Sequence, residues 1–276
     1  MVRPDWRYSV SAAADALEAM RRERRRALIG YLPAGFPTVD DSIELIAAMV
    51  EGGVDVVEVG LPYSDPVMDG PSIQAAADVA LRAGVRVRDV FRVVERTAAL
   101  APTLVMTYWN PVERYGVDAF ARDLSAAGGS GLITPDLIPD EAAEWIAAAD
   151  EHDLDRVFLV APSSSDARLA STGAACRGFI YATSIMGVTG AREQISVAAP
   201  QLVTRVRAHT DLPVAVGLGV SNGDQAAEVA SFADAVVVGS AFVNAARSTV
   251  TDGVRAVRDL AADLAAGIRR EPAAHA

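Results

Sequence analysis

Two carboxylates stand where they could move protons. Glu58 lies in the run Val54-Asp55-Val56-Val57-Glu58-Val59-Gly60. If this run is a strand, alternation puts Glu58 on one face with Val54 and Val56, and Val57 and Val59 on the other. In a closed barrel the first face points inward. A carboxyl there loses water, and the usual escape is a raised pKa, which lets it give and take protons near neutral pH. A structural glutamate paired with an arginine is the alternative. Asp69 follows in the loop Leu61-Pro62-Tyr63-Ser64-Asp65-Pro66-Val67-Met68-Asp69-Gly70. Asp-Gly is also a common turn pair. Together, one on a strand end and one on its loop, Glu58 and Asp69 could bracket a ligand in two protonation states.

Glycines mark the other half of the chain. Gly187-Val188-Thr189-Gly190, Gly217-Leu218-Gly219 and Gly239-Ser240 each follow or end an apolar run. Glycine lets backbone N–H groups approach an anion, so three such motifs at adjacent strand ends suggest a phosphate site. Turn geometry explains any one of them alone. All 25 residues in the Lys+Arg count are arginine. Without lysine this chain forms no Schiff base on a substrate carbonyl and no internal aldimine with pyridoxal phosphate. The histidines, His152, His209 and His275, show no metal-ligand spacing, so no metal is expected.

The elements that must position these groups alternate. Apolar runs at Ala27–Leu32, Val54–Gly60, Thr103–Tyr108, Gly131–Thr134, Arg156–Val160, Gly178–Thr183, Val214–Leu218 and Ala235–Val238 read as buried parallel strands. Helical patterns between them include Ser42–Glu51, Ser72–Arg82, Asp118–Ala127, Glu141–Ala149, Ser196–Ala208 and Asp224–Ala230. This alternation predicts an α/β fold, a (β/α)8 TIM barrel with an extra N-terminal helix over Ser11–Arg26. An open doubly wound sheet is the runner-up, but no G-x-G-x-x-G follows the first strand. The Ala-rich stretch Ala261 to Ala266 is a good helix former. The 276 residues suit one domain, with loose termini at about 1–8 and 271–276.

A formal net charge of -11 argues against nucleic acid and against anionic lipid. The basic run Arg21-Arg22-Glu23-Arg24-Arg25-Arg26 reads as a solvated helix face. One cysteine, Cys176, fits a reducing compartment. No apolar signal region or membrane-spanning stretch is visible, so a soluble, cytoplasmic protein is expected.

The residues from Val57 to Gln74, with Gly131-Leu132-Ile133-Thr134-Pro135-Asp136-Leu137, Met186-Gly187-Val188-Thr189-Gly190 and Val216-Gly217-Leu218-Gly219-Val220-Ser221, resemble the alpha chains of tryptophan synthase. The resemblance covers roughly Ala27 to Asn244. It implies retro-aldol cleavage of indole-3-glycerol phosphate to indole and glyceraldehyde 3-phosphate. It implies Glu58 as acid and base, Asp69 as acceptor for the indole N–H, and phosphate on Gly190, Gly219, Gly239 and Ser240. Thr189 matches a threonine that bonds the aspartate of the second loop. Tyr31, Met106, Ile133 and Tyr181 match the indole pocket, Tyr31 replacing the usual phenylalanine. Met68 stands where alanine is common, and Ser184-Ile185-Met186 departs from the commoner form with an arginine. The resemblance also implies an α2β2 complex with a beta chain that carries pyridoxal phosphate, this chain needing no cofactor, with Asp65, Asn110 and Pro139 near the partner surface. A free-standing indole-releasing lyase, a non-catalytic scaffold that activates a beta chain, and another sugar-phosphate barrel remain alternatives.

Overall fold

A computed structural model describes residues 12–183, 192–247 and 250–270 of the chain. Its strands are β1 (Ala27–Pro33), β2 (Val56–Gly60), β3 (Thr103–Met106), β4 (Gly131–Thr134), β5 (Asp155–Val160), β6 (Ile180–Thr183), β7 (Val214–Gly217) and β8 (Ala235–Val238). Each pairs in parallel with the next, and β8 returns to β1, so the sheet closes into the predicted barrel. The helices are α1 (Ala12–Arg22), α2 (Val39–Gly52), α3 (Pro71–Arg82), α4 (Val87–Ala98), α5 (Trp109–Tyr115), α6 (Val117–Ala126), α7 (Ala143–Glu151), α8 (Asp166–Ala175), α9 (Arg192–Arg207), α10 (Gly223–Ala230), α11 (Ser240–Ala245) and α12 (Val250–Ile268).

Strand alternation divides the apolar side chains into two cores. Outward residues such as Leu28, Val57, Val59, Leu132 and Val216 pack under the helices. Inward residues Ile29, Val56, Leu104, Ile133, Val157 and Phe179 fill the barrel. Ala13 and Leu17 of α1 join this inner core, so the extra helix closes the barrel at the strands' amino ends. The backbone N–H of Ala14 donates to the carboxylate of Asp155, the first residue of β5, over 3.1 Å.

Several boundaries differ from expectation. β2 starts at Val56, and Val54 packs in the outer core beside Gly30, so it does not share the inward face of Glu58. β3 stops at Met106 because Tyr108 already caps α5. β6 starts at Ile180, since Gly178 has φ +102, outside strand geometry. α1 ends at Arg22, with Arg24 at φ +56 breaking the helix. Glu141 closes a short 3-10 turn (Pro139–Glu141), and α7 begins only at Ala143. α9 begins at Arg192, earlier than Ser196. The terminal stretches expected to be loose, 1–8 and 271–276, lie outside the described residues.

Candidate active site

Glu58 occupies the centre of β2, level with Tyr31 on β1 and Leu104 on β3. Its side chain is 1% exposed, and its Oε2 has no hydrogen-bond partner among the described residues. Burial pushes its pKa up to about 8, and the nearby charge of Asp69 adds to the rise. Among the described residues no arginine forms an ion pair with it.

Asp69 belongs to the loop between β2 and α3. Gly70 caps α3 and Pro71 takes its first turn, a position where a missing N–H costs nothing. The loop is tied on both sides of the aspartate. The Met68 N–H donates to the Tyr108 hydroxyl over 2.9 Å, and the Gln74 side-chain amide donates to the Asp69 carbonyl over 2.7 Å. Tyr108 in turn stacks on Tyr63 with ring centroids 5.1 Å apart. The Asp69 carboxyl is partly buried, and burial raises its pKa as well.

Two phenols complete the polar lining. Tyr31 and Tyr181 are held neutral first by burial, then by the charges of Asp69 and Glu58. Each leans over a strand-end glycine: a Cβ at Gly60 would lie 2.3 Å from the Tyr31 hydroxyl, and one at Gly217 would lie 2.9 Å from that of Tyr181. Met106 and Ile133 are register partners on β3 and β4 and pack with the inner core, giving the wall beside β2 an apolar surface.

The strand-end glycines gather on the same rim. Gly219 follows β7 with φ +68, a conformation that favours glycine. Gly239 follows β8 and caps α11, whose first residue is Ser240. Thr189 and Gly190 lie outside the described residues, as does the whole segment 184–191. Of the remaining expected positions, Asp65 and Asn110 are exposed and Pro139 is half-buried, all on loops or first turns beyond strand ends. Asp65 accepts from the Ser64 hydroxyl over 2.5 Å.

Sequence reasoning did not single out Tyr108, Gln74 or Gly60. Gln74 stands one turn into the helix after Asp69, which is the only local signal for it. Nothing local marks Tyr108, whose partner lies forty positions away in the chain. Asp118, Glu151 and His152 bring potential metal-ligating atoms together on the surface, where His152 Nε2 lies 3.2 Å from an Asp118 oxygen. That cluster is remote from Glu58 in the fold, between α6 and α7. Among the described residues, no helix is long and apolar enough to cross a membrane.

A closed parallel barrel with a buried inward carboxyl on β2 and a second carboxyl on the loop that follows belongs among the (β/α)8-barrel enzymes, where the rim at the strands' carboxyl ends carries the chemistry. Over residues 17–269 the chain matches the family described as tryptophan synthase alpha chain. The tryptophan synthase alpha chain of Acidothermus cellulolyticus is 61% identical, with 96% of this chain and 99% of that one covered. That of Nocardia farcinica is 62% identical, with 94% and 96% covered. A solved structure of Mycobacterium tuberculosis tryptophan synthase superposes with a TM-score of 0.87 at 58% identity, covering 94% of this chain and 98% of that one. The chain therefore belongs to the tryptophan synthase alpha-chain family, the lyase subunits that cleave indole-3-glycerol phosphate in tryptophan biosynthesis.

Proposed function

We propose that Glu58 is the acid and base of the cleavage and that Asp69 is its electrostatic partner. The observation that carries this reading is a buried inward carboxyl whose pKa is pushed to about 8, beside a second carboxyl on the adjoining loop. Protonated Glu58 delivers its proton to indole C3. The ring becomes cationic, and Asp69 accepts a hydrogen bond from the indole N–H where that charge develops. The bond between C3 and the glycerol carbon then breaks. Its electron pair returns to the ring, and the hydroxyl proton passes to the Glu58 carboxylate as the aldehyde forms. Glu58 ends as it began, so no outside acid or base is consumed.

The phosphate rests on backbone groups of Gly190, Gly219, Gly239 and Ser240, on the half of the rim after the last strands where this fold recurrently holds phosphate. The indole lies against Met106, Ile133, Tyr31 and Tyr181. Thr189 pairs with Asp69 and draws the two loops over the substrate. The chain works as one barrel domain in the cytoplasm and needs no cofactor. Its partner is a beta chain holding pyridoxal phosphate in an α2β2 complex, met through the face that includes Asp65, Asn110 and Pro139. A lysine-free chain cannot itself anchor that cofactor as an aldimine.

Indole release from indole-3-glycerol phosphate, measured with and without a beta chain, tests the reading. Slow release that rises sharply with the partner supports an alpha subunit under its control. Fast release alone points to a free-standing lyase, and no release in either condition points to a scaffold or a different sugar phosphate.

A further inference from the structure

An ionised Glu58 has a difficulty that its protonated form lacks. It is buried, one oxygen has no hydrogen-bond partner among the described residues, and the neighbouring charge is another carboxylate, Asp69. A buried carboxylate needs donors. The titratable groups that feel its charge from the surrounding elements are Asp69 on the β2–α3 loop, Tyr31 on β1 and Tyr181 on β6. Asp69 when ionised donates nothing, which leaves the phenols among the described titratable groups.

Of the two, Tyr31 is built to serve. It is the direct register partner of Glu58 on the adjacent strand. Its ring is clasped by glycines at the ends of both neighbouring strands, Gly60 as the last residue of β2 and Gly239 just after β8: a Cβ on Gly60 would lie 2.7 Å or less from Tyr31 ring and hydroxyl atoms, and one on Gly239 would lie 3.3 Å from Cδ1. The ring occupies the space that a Gly60 side chain would take and lies close against Gly239. Gly60 follows Glu58 by two positions on the same face, so the hydroxyl above it stands between Glu58 and the barrel mouth. Its charge coupling to both Glu58 and Asp69 agrees with that place. Tyr181 reaches in from β6, on the far side of the barrel, over Gly217.

We propose that Tyr31 is a positioning residue for Glu58: its clasped phenol donates a hydrogen bond to the Glu58 carboxylate whenever that group has given up its proton. The phenol neither gains nor loses a proton overall. It stabilises the ionised half of the catalytic cycle, while the charge of Asp69 and burial favour the protonated half.

This inference rests on the reading of Glu58 as acid and base, so the test carries a measurement that does not. Full-length Tyr31→Phe, Tyr181→Phe and Glu58→Gln proteins are compared with the parent. Indole release is followed from pH 5.5 to 10, and the Glu58 carboxyl is titrated by carbon-13 NMR without substrate. Removing a donor to the charged form raises the carboxyl pKa, so Tyr31→Phe should move the Glu58 titration up by roughly one pH unit. The matching limb of the kcat/KM profile should move with it, while KM at neutral pH stays within about two-fold, since the ring is retained. Tyr181→Phe should leave the titration in place. An unmoved titration in Tyr31→Phe, or a shift seen only in Tyr181→Phe, overturns the proposal. Full activity in Glu58→Gln would instead remove the acid–base reading, and the NMR titration would still decide whether Tyr31 bonds the carboxylate.

Discussion

The backbone N–H of Ala14 donates to the buried carboxylate of Asp155 over 3.1 Å, which joins the first turn of α1 to the amino end of β5. Arg177 Nε lies 3.7 Å from the other oxygen of the same carboxylate. The contact spans most of the first half of the chain and holds the closing helix at the end of the barrel remote from the carboxylate pair. At that end residues serve stability rather than turnover. Asp155→Ala should therefore lower the unfolding free energy by ~1–3 kcal/mol in urea titration, leaving kcat for indole release within two-fold of the parent. A large fall in kcat with unchanged stability would contradict this division.

Glu58→Gln keeps the shape and removes the proton. The variant should fold and lose the cleavage by at least ~10²-fold in kcat, the usual worth of a general acid–base group. Asp69→Asn should lose a comparable factor while KM changes by only a few-fold, because the aspartate acts on charge that develops after binding.

The same glutamate makes stability depend on pH. Its folded pKa of about 8 lies above the unfolded value of 4.5, so the native state binds the extra proton between those limits. Its contribution is fully present below about pH 4.5 and is lost as pH rises toward 8. The full swing is at most ~5 kcal/mol at 1.36 kcal/mol per unit. Glu58→Gln should gain stability relative to the parent across this window and hold a constant advantage above it. Matched urea titrations at pH 5, 7 and 9 would show a flat difference if the carboxyl were not buried and protonated.

Gly60 and Tyr31 compete for one volume. In Gly60→Ala the new methyl would meet the Tyr31 hydroxyl at 2.3 Å, so the ring must shift. A loss of ~1–3 kcal/mol in stability and a severe loss of activity are expected. In a Tyr31→Ala background the same substitution should cost little, giving a coupling energy of at least ~1 kcal/mol in a double-mutant cycle. Additive losses would place the ring elsewhere.

The barrel was legible because each strand is a short apolar run, and Glu58 stood out as the one charge near the end of such a run. Its inward direction followed from alternation alone. Alternation failed at Val54, because the parity rule holds only inside a strand and β2 starts two residues later. Helix α8, with small residues, carries a weak apolar pattern, and α4 was not picked out individually although Val90, Val93 and Val94 give it a clear buried face. Register was hidden altogether. The pairing of Tyr31 with Glu58, the tie from Met68 to Tyr108 and the cap from Asp155 to Ala14 all join residues far apart in the chain. No local pattern encodes such contacts, because they follow from how the closed sheet staggers its strands.

The helix that closes the barrel also fixes its traffic. With Ala13 and Leu17 seated among the inward side chains, the vessel has a floor. Asp69 and the strand-end glycines stand at the opposite end, so a protein that docks over them stands in the path of whatever reacts beside Glu58.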